Sequence, residues 1–291
     1  MRTEGRKMSR SAQGVLPNLI IIGAQKCATT SLHYYLSLHP EICMSKEKEL
    51  HFFVGEQNWD KGIKWYKSNF TGDAKIHGEA SPGYTNYPRF RGVPQRMHAV
   101  VPGAKLIYLV RDPIERIISH YVHWYAEGRE DRSLTEALQD FSHNEYLCRS
   151  RYYWQLEQYL AYFPQSTIYI MTREDLYAQR RRALQDVFRF LEVGSSFYRW
   201  EFVKMMHRSH YKRRKSPIGQ RLAQTLGARL IASLHPRARG VVEKLIYFPF
   251  SNKIESPTLD PLLRQEVIDY LRGDINRLRA HTGRMFESWC V

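Results

Sequence analysis

An α/β fold built on a central, mainly parallel sheet flanked by helices is what this sequence predicts, on three observations. Two short apolar runs, Asn18 to Ile22 (NLIII) and Lys105 to Val110 (KLIYLV), have the length and branched content of strands buried on both faces. Each leads through a short polar turn into a segment whose apolar residues recur at helical spacing. Strand and helix signals then alternate along the chain, as they do in successive βα units.

Taken in order, residues 1–16 are polar and basic and read as a flexible lead, so order is expected from Pro17. The first strand ends at Gly23. Thr30 to Leu38 places Leu32, Tyr35 and Leu36 on one face of a helix that Pro40 stops. A strand is expected at Ala74 to Glu79. After Lys105 to Val110, Asp112 stands as an N-cap with Pro113 at the first helical position, and Ile114, Ile117, Ile118, Tyr121, Val122 and Tyr125 form one apolar face. A helix around Tyr153 to Tyr162 precedes a strand at Thr167 to Met171. From Lys204 to Arg239 the chain holds ten Lys or Arg and no Asp or Glu, with weak apolar periodicity around Leu222, Leu226, Leu230 and Leu234. Asp260 and Pro261 open a last helix striped by Leu263, Val267, Leu271, Ile275 and Leu278. The expectation is one domain over residues 17–291, with a basic excursion at 204–250.

A chain of 291 residues with 43% hydrophobic composition can bury a sizeable core, so disorder is not the expectation. Forty-four Lys and Arg against 29 Asp and Glu give a formal charge of +15. That excess favours an anionic partner, whether nucleic acid, membrane surface, acidic polysaccharide or a phosphate-rich cofactor, and does not choose among them. Cys27, Cys43, Cys148 and Cys290 lack CxxC spacing, so neither a zinc site nor a disulfide framework is expected, and a reducing compartment fits. There is no apolar signal region near the N-terminus and no run of 18 apolar residues. The chain as written is therefore expected to be soluble and cytoplasmic.

The first functional signal is the loop Gly23-Ala-Gln-Lys26-Cys27-Ala28-Thr29-Thr30-Ser31. It lies where a strand turns into a helix, and there free N–H groups and the helix dipole favour a phosphate. One lysine and three hydroxyls add to that preference. It is not the GxxxxGK[ST] nucleotide loop, because Lys26 precedes a double threonine instead of following a glycine, so an ATPase or nucleotide-kinase reading is disfavoured. Taken alone, the same loop also fits an ordinary strand-to-helix turn with a solvated lysine.

GAQKCATTSL resembles the 5′-phosphosulfate loop of the sulfotransferases that use 3′-phosphoadenosine 5′-phosphosulfate (PAPS). The resemblance implies a P-loop-like phosphosulfate-binding loop in which Gly23, Lys26, Cys27, Ala28, Thr29, Thr30 and Ser31 hold the 5′-phosphate and sulfuryl group. Ala28 departs from the family, where glycine is more usual, and is expected to crowd the loop slightly. Val110-Arg111-Asp112-Pro113, continuing to Ser119, is similar to the family's second signature, which implies that Arg111 and Ser119 bind the 3′-phosphate. A guanidinium can chelate a phosphate through two N–H groups, and a hydroxyl adds a third donor. Equally, Arg111 could pair with a carboxylate and Ser119 could lie on a helix surface.

Further resemblance, to the heparan sulfate and carbohydrate branch, runs through Lys48-Glu49-Leu-His51-Phe52-Phe53 and Gly78-Glu79-Ala-Ser81-Pro82-Gly-Tyr84. It implies a second cation, Lys48, beside the sulfuryl group and a glutamate base at Glu79. His77 is the alternative base, two residues away on the same strand face, and His51 has a similar ambiguity between base and packed residue. Tyr152 or Tyr153 is expected to border the adenine or ribose or else to belong to the core; the family often has glycine where this chain has Ser150. The closing pattern from Leu271 to Trp289 also resembles the family.

Sulfuryl transfer asks for in-line positioning, stabilised charge on the leaving phosphate and removal of the acceptor proton, with no metal needed in principle. The expectation is therefore a transfer from PAPS to a hydroxyl or amine of a carbohydrate. The alternatives are a lipid or small-molecule alcohol or phenol as acceptor, or a non-catalytic protein that binds phosphoadenosine or nucleic acid. The run Tyr211 to Lys215 reads as a solvated basic face, as a contact to the cofactor or an anionic glycan, or as part of a peripheral membrane contact through Leu222 to Leu234. No nucleic-acid motif accompanies the charge.

Overall fold

A computed structural model describes residues 14–204, 213–215, 249 and 251–291. Five strands, β1 (Leu19–Gly23), β2 (Ile42–Met44), β3 (Ile76–Ala80), β4 (Lys105–Val110) and β5 (Ile168–Thr172), form one sheet in the order β2-β3-β1-β4-β5. Every pairing in it is parallel. β1 and β3 are buried along their whole length, which explains why LIIIG carries no polar residue. The chain leaves β1 for β2 and β3 on one side and returns to β4 on the other. The strand order thus reverses at β1, and open parallel sheets place their ligand crevice beyond the strand ends at such a point.

The described helices up to residue 191 are α1 (Thr29–Ser37), α2 (Gly62–Ser68), α3 (Val93–Val100), α4 (Pro113–Ala126), α5 (Leu134–Ala137), α6 (Glu145–Cys148), α7 (Tyr152–Leu160), α8 (Arg173–Ala178) and α9 (Arg180–Leu191). A long helix, Pro261–Thr282, follows. The sequence signals for its start are explicit. Asp260 Oδ2 accepts from the N–H of Leu262 at 3.0 Å and of Leu263 at 3.2 Å. Asp112 likewise caps α4, accepting from the Glu115 N–H at 2.9 Å.

The described residues divide into two compact units. The larger, residues 14–116, 147–204 and 268–291, contains the parallel sheet and a continuous core that includes Ile20, Leu32, Phe52, Tyr66, Leu106, Tyr152, Phe188 and Ile275. Deep in this unit Asp274, 4% exposed, accepts from the N–H groups of Tyr153 and Trp154 at 2.9 Å each, covering the first turn of α7. The smaller unit, residues 117–146, 213–215, 249 and 251–267, holds a two-stranded antiparallel sheet of β6 (Arg213–Lys215) and β7 (Ser251–Lys253). No sequence signal announced that pair, because three-residue strands in a basic run carry no readable alternation. In the same unit Arg214 bonds Asp131 and lies 3.9 Å from the Tyr125 ring centre. It is therefore engaged, which a freely solvated basic face would not require. The remainder of the basic stretch, including Tyr211, Lys212 and Leu222 to Leu234, falls outside the described residues.

Candidate active site

The Gly23–Ser31 loop, the end of β3 with the turn of Lys48, and Arg111 lie at the C-terminal edge of the parallel sheet. Beyond β1, the loop is tied to β4 by the Ala24 N–H, which donates to the Leu109 carbonyl at 2.6 Å. Gly23 is required by packing: a Cβ there would meet the Thr85 Oγ1 at 2.0 Å. Lys26 and Ala28 both adopt left-handed backbone, at φ 73° and 71°. Ala28 is the residue that precedes α1, and no side chain caps this helix and no acid lies in its first turn. Alternating backbone of this kind turns successive N–H groups inward and makes a concavity for an anion. It also explains why glycine suits position 28, since an alanine there carries the left-handed cost. Thr29 and Ser31 are buried, and Lys26, Ala28 and Thr30 are half-buried.

Arg111, at the end of β4, is 6% exposed and reaches the same loop. Its Nη1 donates to the Lys26 carbonyl at 3.4 Å, its Nη2 pairs with Glu115 at 3.0 Å, and its Nε is buried without a hydrogen-bond partner. Ser119, 8% exposed, belongs to the smaller unit. Cys27 and Tyr152 are fully buried, so neither side chain offers a surface to a ligand. Tyr152 packs its ring against Tyr108 and Trp289 and meets the Cys27 sulfur at 3.8 Å. Of the two readings the sequence left open for Tyr152, its burial agrees with a place in the core. It supports the loop from beneath, because the aromatic run of α7 fills the core. Burial, only partly offset by the Arg111 and Arg116 charges, pushes the Cys27 thiol up to about 11.

Glu79 occupies the next-to-last position of β3 and has no exposed surface. Three hydroxyls donate to its carboxylate: Tyr66 at 2.6 Å, Ser81 at 2.6 Å and Tyr84 at 2.9 Å. Burial raises its proton affinity above that of an ordinary glutamate, and the three O–H donors restrain the rise. The turn carrying Lys48 is bound to this cage. Glu49 N–H donates to the Ala80 carbonyl at 3.0 Å, and His51 N–H donates to the Ser81 Oγ at 3.1 Å. Lys48 itself pairs with Glu49. His51 fills the space above Gly83, where a Cβ would lie 2.9 Å from its Cε1.

His77 sits elsewhere on the strand. Its backbone is level with Asn18 at the start of β1, and its Nε2 meets the Gly72 carbonyl at 3.1 Å. Glu79, opposite Ile20, is two residues nearer the loop end.

Sequence reasoning overlooked several supporting groups. Tyr66 on α2 is 13 residues from Glu79, and nothing in its local context separates it from a core aromatic. His33 on α1 is driven down to about 4 by burial, with the positive charge of Lys48 adding to the effect. Arg149 donates to Gln25 within the loop, and the buried Arg116 donates to Ser150 at 2.6 Å. Ser150 stands where the family often has glycine, and the arginine supplies a reason for a hydroxyl there. Among the described residues no group of three or more His, Cys, Asp or Glu could hold a metal ion, and no helix is long and apolar enough to cross a membrane.

Residues 16–224 match the sequence model of the family described as sulfotransferase domain. The chain belongs to the sulfotransferase family. Membership makes it an enzyme of the class that transfers sulfuryl groups from PAPS, the donor generic to the family. This sulfotransferase is 29% identical over 253 residues to heparan sulfate glucosamine 3-O-sulfotransferase 5 of Mus musculus, covering 82% of this chain and 71% of that protein. It is 40% identical over 122 residues to membrane-associated sulfotransferase kil1 of Dictyostelium discoideum, which covers 39% of this chain and a quarter (25%) of that longer protein. A solved sulfotransferase from Alicyclobacillus acidocaldarius shares the fold, with a TM-score of 0.68 at 24% identity over 94% of this chain and 99% of that one.

Proposed function

We propose that this sulfotransferase transfers the sulfuryl group of PAPS to a hydroxyl or amine of a carbohydrate, with Glu79 as general base. The observation that carries the reading is the Glu79 carboxylate, buried at the end of a sheet strand and tied through Ser81 and His51 to the Lys48 turn. A desolvated carboxylate is a stronger base than a surface one, and its hydroxyl donors fix its direction. Relatives named as heparan sulfate enzymes favour a glycan acceptor.

The loop fits PAPS on its own chemistry. It has left-handed backbone at two positions, an uncapped helix start and a guanidinium whose Nε is buried with no partner. When bound, PAPS supplies an activated sulfuryl group and a phosphate leaving group. Lys26, with the N–H groups opening α1 and the hydroxyls of Thr29, Thr30 and Ser31, neutralises charge on the 5′-phosphate. Arg111, whose Nε is buried without a partner, would hold the 3′-phosphate; the same role for Ser119 rests on its sequence motif. Lys48 supplies a second positive charge. Glu79 accepts the acceptor's proton, and Tyr66, Ser81 and Tyr84 hold its carboxylate in place while it does so.

Titration with adenosine 3′,5′-bisphosphate, adenosine 5′-monophosphate and ATP tests the donor site. Tight binding is expected only for the bisphosphate, and Arg111→Ala should weaken it roughly 10- to 100-fold, the range for a charged hydrogen-bonded contact, while leaving the monophosphate unchanged. Equal affinity for ATP would sink the reading.

A small-molecule alcohol or phenol acceptor is the second reading, and one observation favours it. A cavity of about 90 Å³ beside Tyr84 is lined by Tyr87, Phe90, Gln155, Tyr159 and Tyr162 with no charged side chain. Turnover of radiolabelled PAPS with phenols but not with desulfated heparan chains would decide for it.

A further inference from the structure

An exposed aromatic tip stands on a 3₁₀ turn, Trp200–Val203, after α9. Phe202 is its anchor, 2% exposed and packed edge-on against Tyr35 with ring centres 5.8 Å apart. The turn is fastened at its end, where the Lys204 carbonyl accepts from the Tyr35 hydroxyl at 2.8 Å and the Val203 carbonyl from Arg180 at 3.3 Å. The residues around the anchor point the other way. Trp200 is 76% exposed, Val203 67% and Tyr198 48%. A folded chain gains nothing from holding a tryptophan and a valine in water on a fastened turn.

The surroundings are cationic. Arg181 lies 5.3 Å from the Tyr198 ring centre, Lys204 lies 5.8 Å from the Tyr34 ring centre, and Arg182 and Arg199 are exposed. Glu201 is the acid of the turn, and it is turned toward Arg199 at 3.8 Å. We infer that Tyr198, Trp200 and Val203, with Arg181, Arg182 and Lys204, form a contact surface for an anionic lipid bilayer. Tryptophan and tyrosine suit the level of the headgroups, a valine reaches the acyl boundary, and arginine and lysine neighbours pair with anionic headgroups. A sulfated glycan would use the cations and leave Val203 and the outer face of Trp200 in water, so charge and apolar exposure together favour the bilayer. The inference is independent of the acceptor and of the roles given to Lys26, Arg111 and Glu79.

The test is co-sedimentation of the full chain with phosphatidylcholine vesicles, with and without phosphatidylserine. Binding is expected only with phosphatidylserine and should weaken as salt is raised. It should fall about tenfold in Trp200→Ala/Val203→Ser and again in Arg181→Glu/Arg182→Glu, with circular dichroism and bisphosphate binding unchanged. The inference is overturned if the protein stays in the supernatant at low salt, if binding ignores phosphatidylserine, or if either double variant binds as wild type does. It is also overturned, in favour of a glycan surface, if the variants lose retention on immobilised heparin and no form binds vesicles.

Discussion

The Lys26 loop and the Glu79 cage lie at the same edge of one sheet and handle charge in opposite ways. In the loop the backbone does the arranging: Lys26 and Ala28 take left-handed conformations, and α1 starts without a side-chain cap, so its N–H groups remain for an anion brought by a ligand. In the cage the backbone is ordinary strand, and side-chain hydroxyls from Tyr66, Ser81 and Tyr84 surround an anion that the protein itself supplies. One region accepts backbone strain and the other accepts the burial of a carboxylate. On the proposed function, a single crevice prepares for a leaving group and for a proton by separate means, so damage to one should leave the other legible.

Glu79→Gln gives the largest expected effect. Turnover should fall about 10²- to 10⁴-fold, the usual share of a general base, while bisphosphate affinity stays near wild type. His77→Ala should retain near wild-type turnover; loss there with Glu79→Gln active would move the base to His77. An intermediate effect is expected from Tyr66→Phe. The hydroxyl favours the ionised carboxylate, so its removal raises the proton affinity of Glu79, and the acid limb of kcat/KM should move to higher pH. A limb that does not move would show that the cage only packs. The smallest effect belongs to the loop: Ala28→Gly relieves the left-handed strain at φ 71° and should stabilise the protein by about 0.5–1 kcal/mol, a rise in Tm of about 2 °C. A fall in Tm would mean that the Ala28 methyl is needed for packing.

The legibility of these two regions in the sequence was unequal. The loop could be read directly because its parts are contiguous, from Gly23 to Ser31, and each residue type suits phosphate on its own. Glu79 could be proposed only through its resemblance to a family segment, and nothing in the GEASPGY context discloses that Tyr66 completes its surroundings. Tyr152 shows the converse, a motif residue that packing takes into the core beneath the loop. The short pair β6 and β7 escaped because three-residue strands leave no period to detect.

By itself the sequence determined four of the five strands of the parallel sheet, β1, β3, β4 and β5, the helices α1, α4 and α7 and the last long helix, the caps at Asp112 and Asp260, and the turn from Gly23 to Ser31 between strand and helix. Each is a matter of neighbours along the chain, where propensity, capping and hydrophobic spacing act within a few residues. Only the tertiary structure decided which strand lies beside which, and that Tyr66, Ser81 and Tyr84 all donate to Glu79. It also decided that Arg111 reaches back 85 residues to the Lys26 carbonyl. Contacts of that kind come from burying one core at close packing, a condition on the whole chain that no local stretch of residues contains.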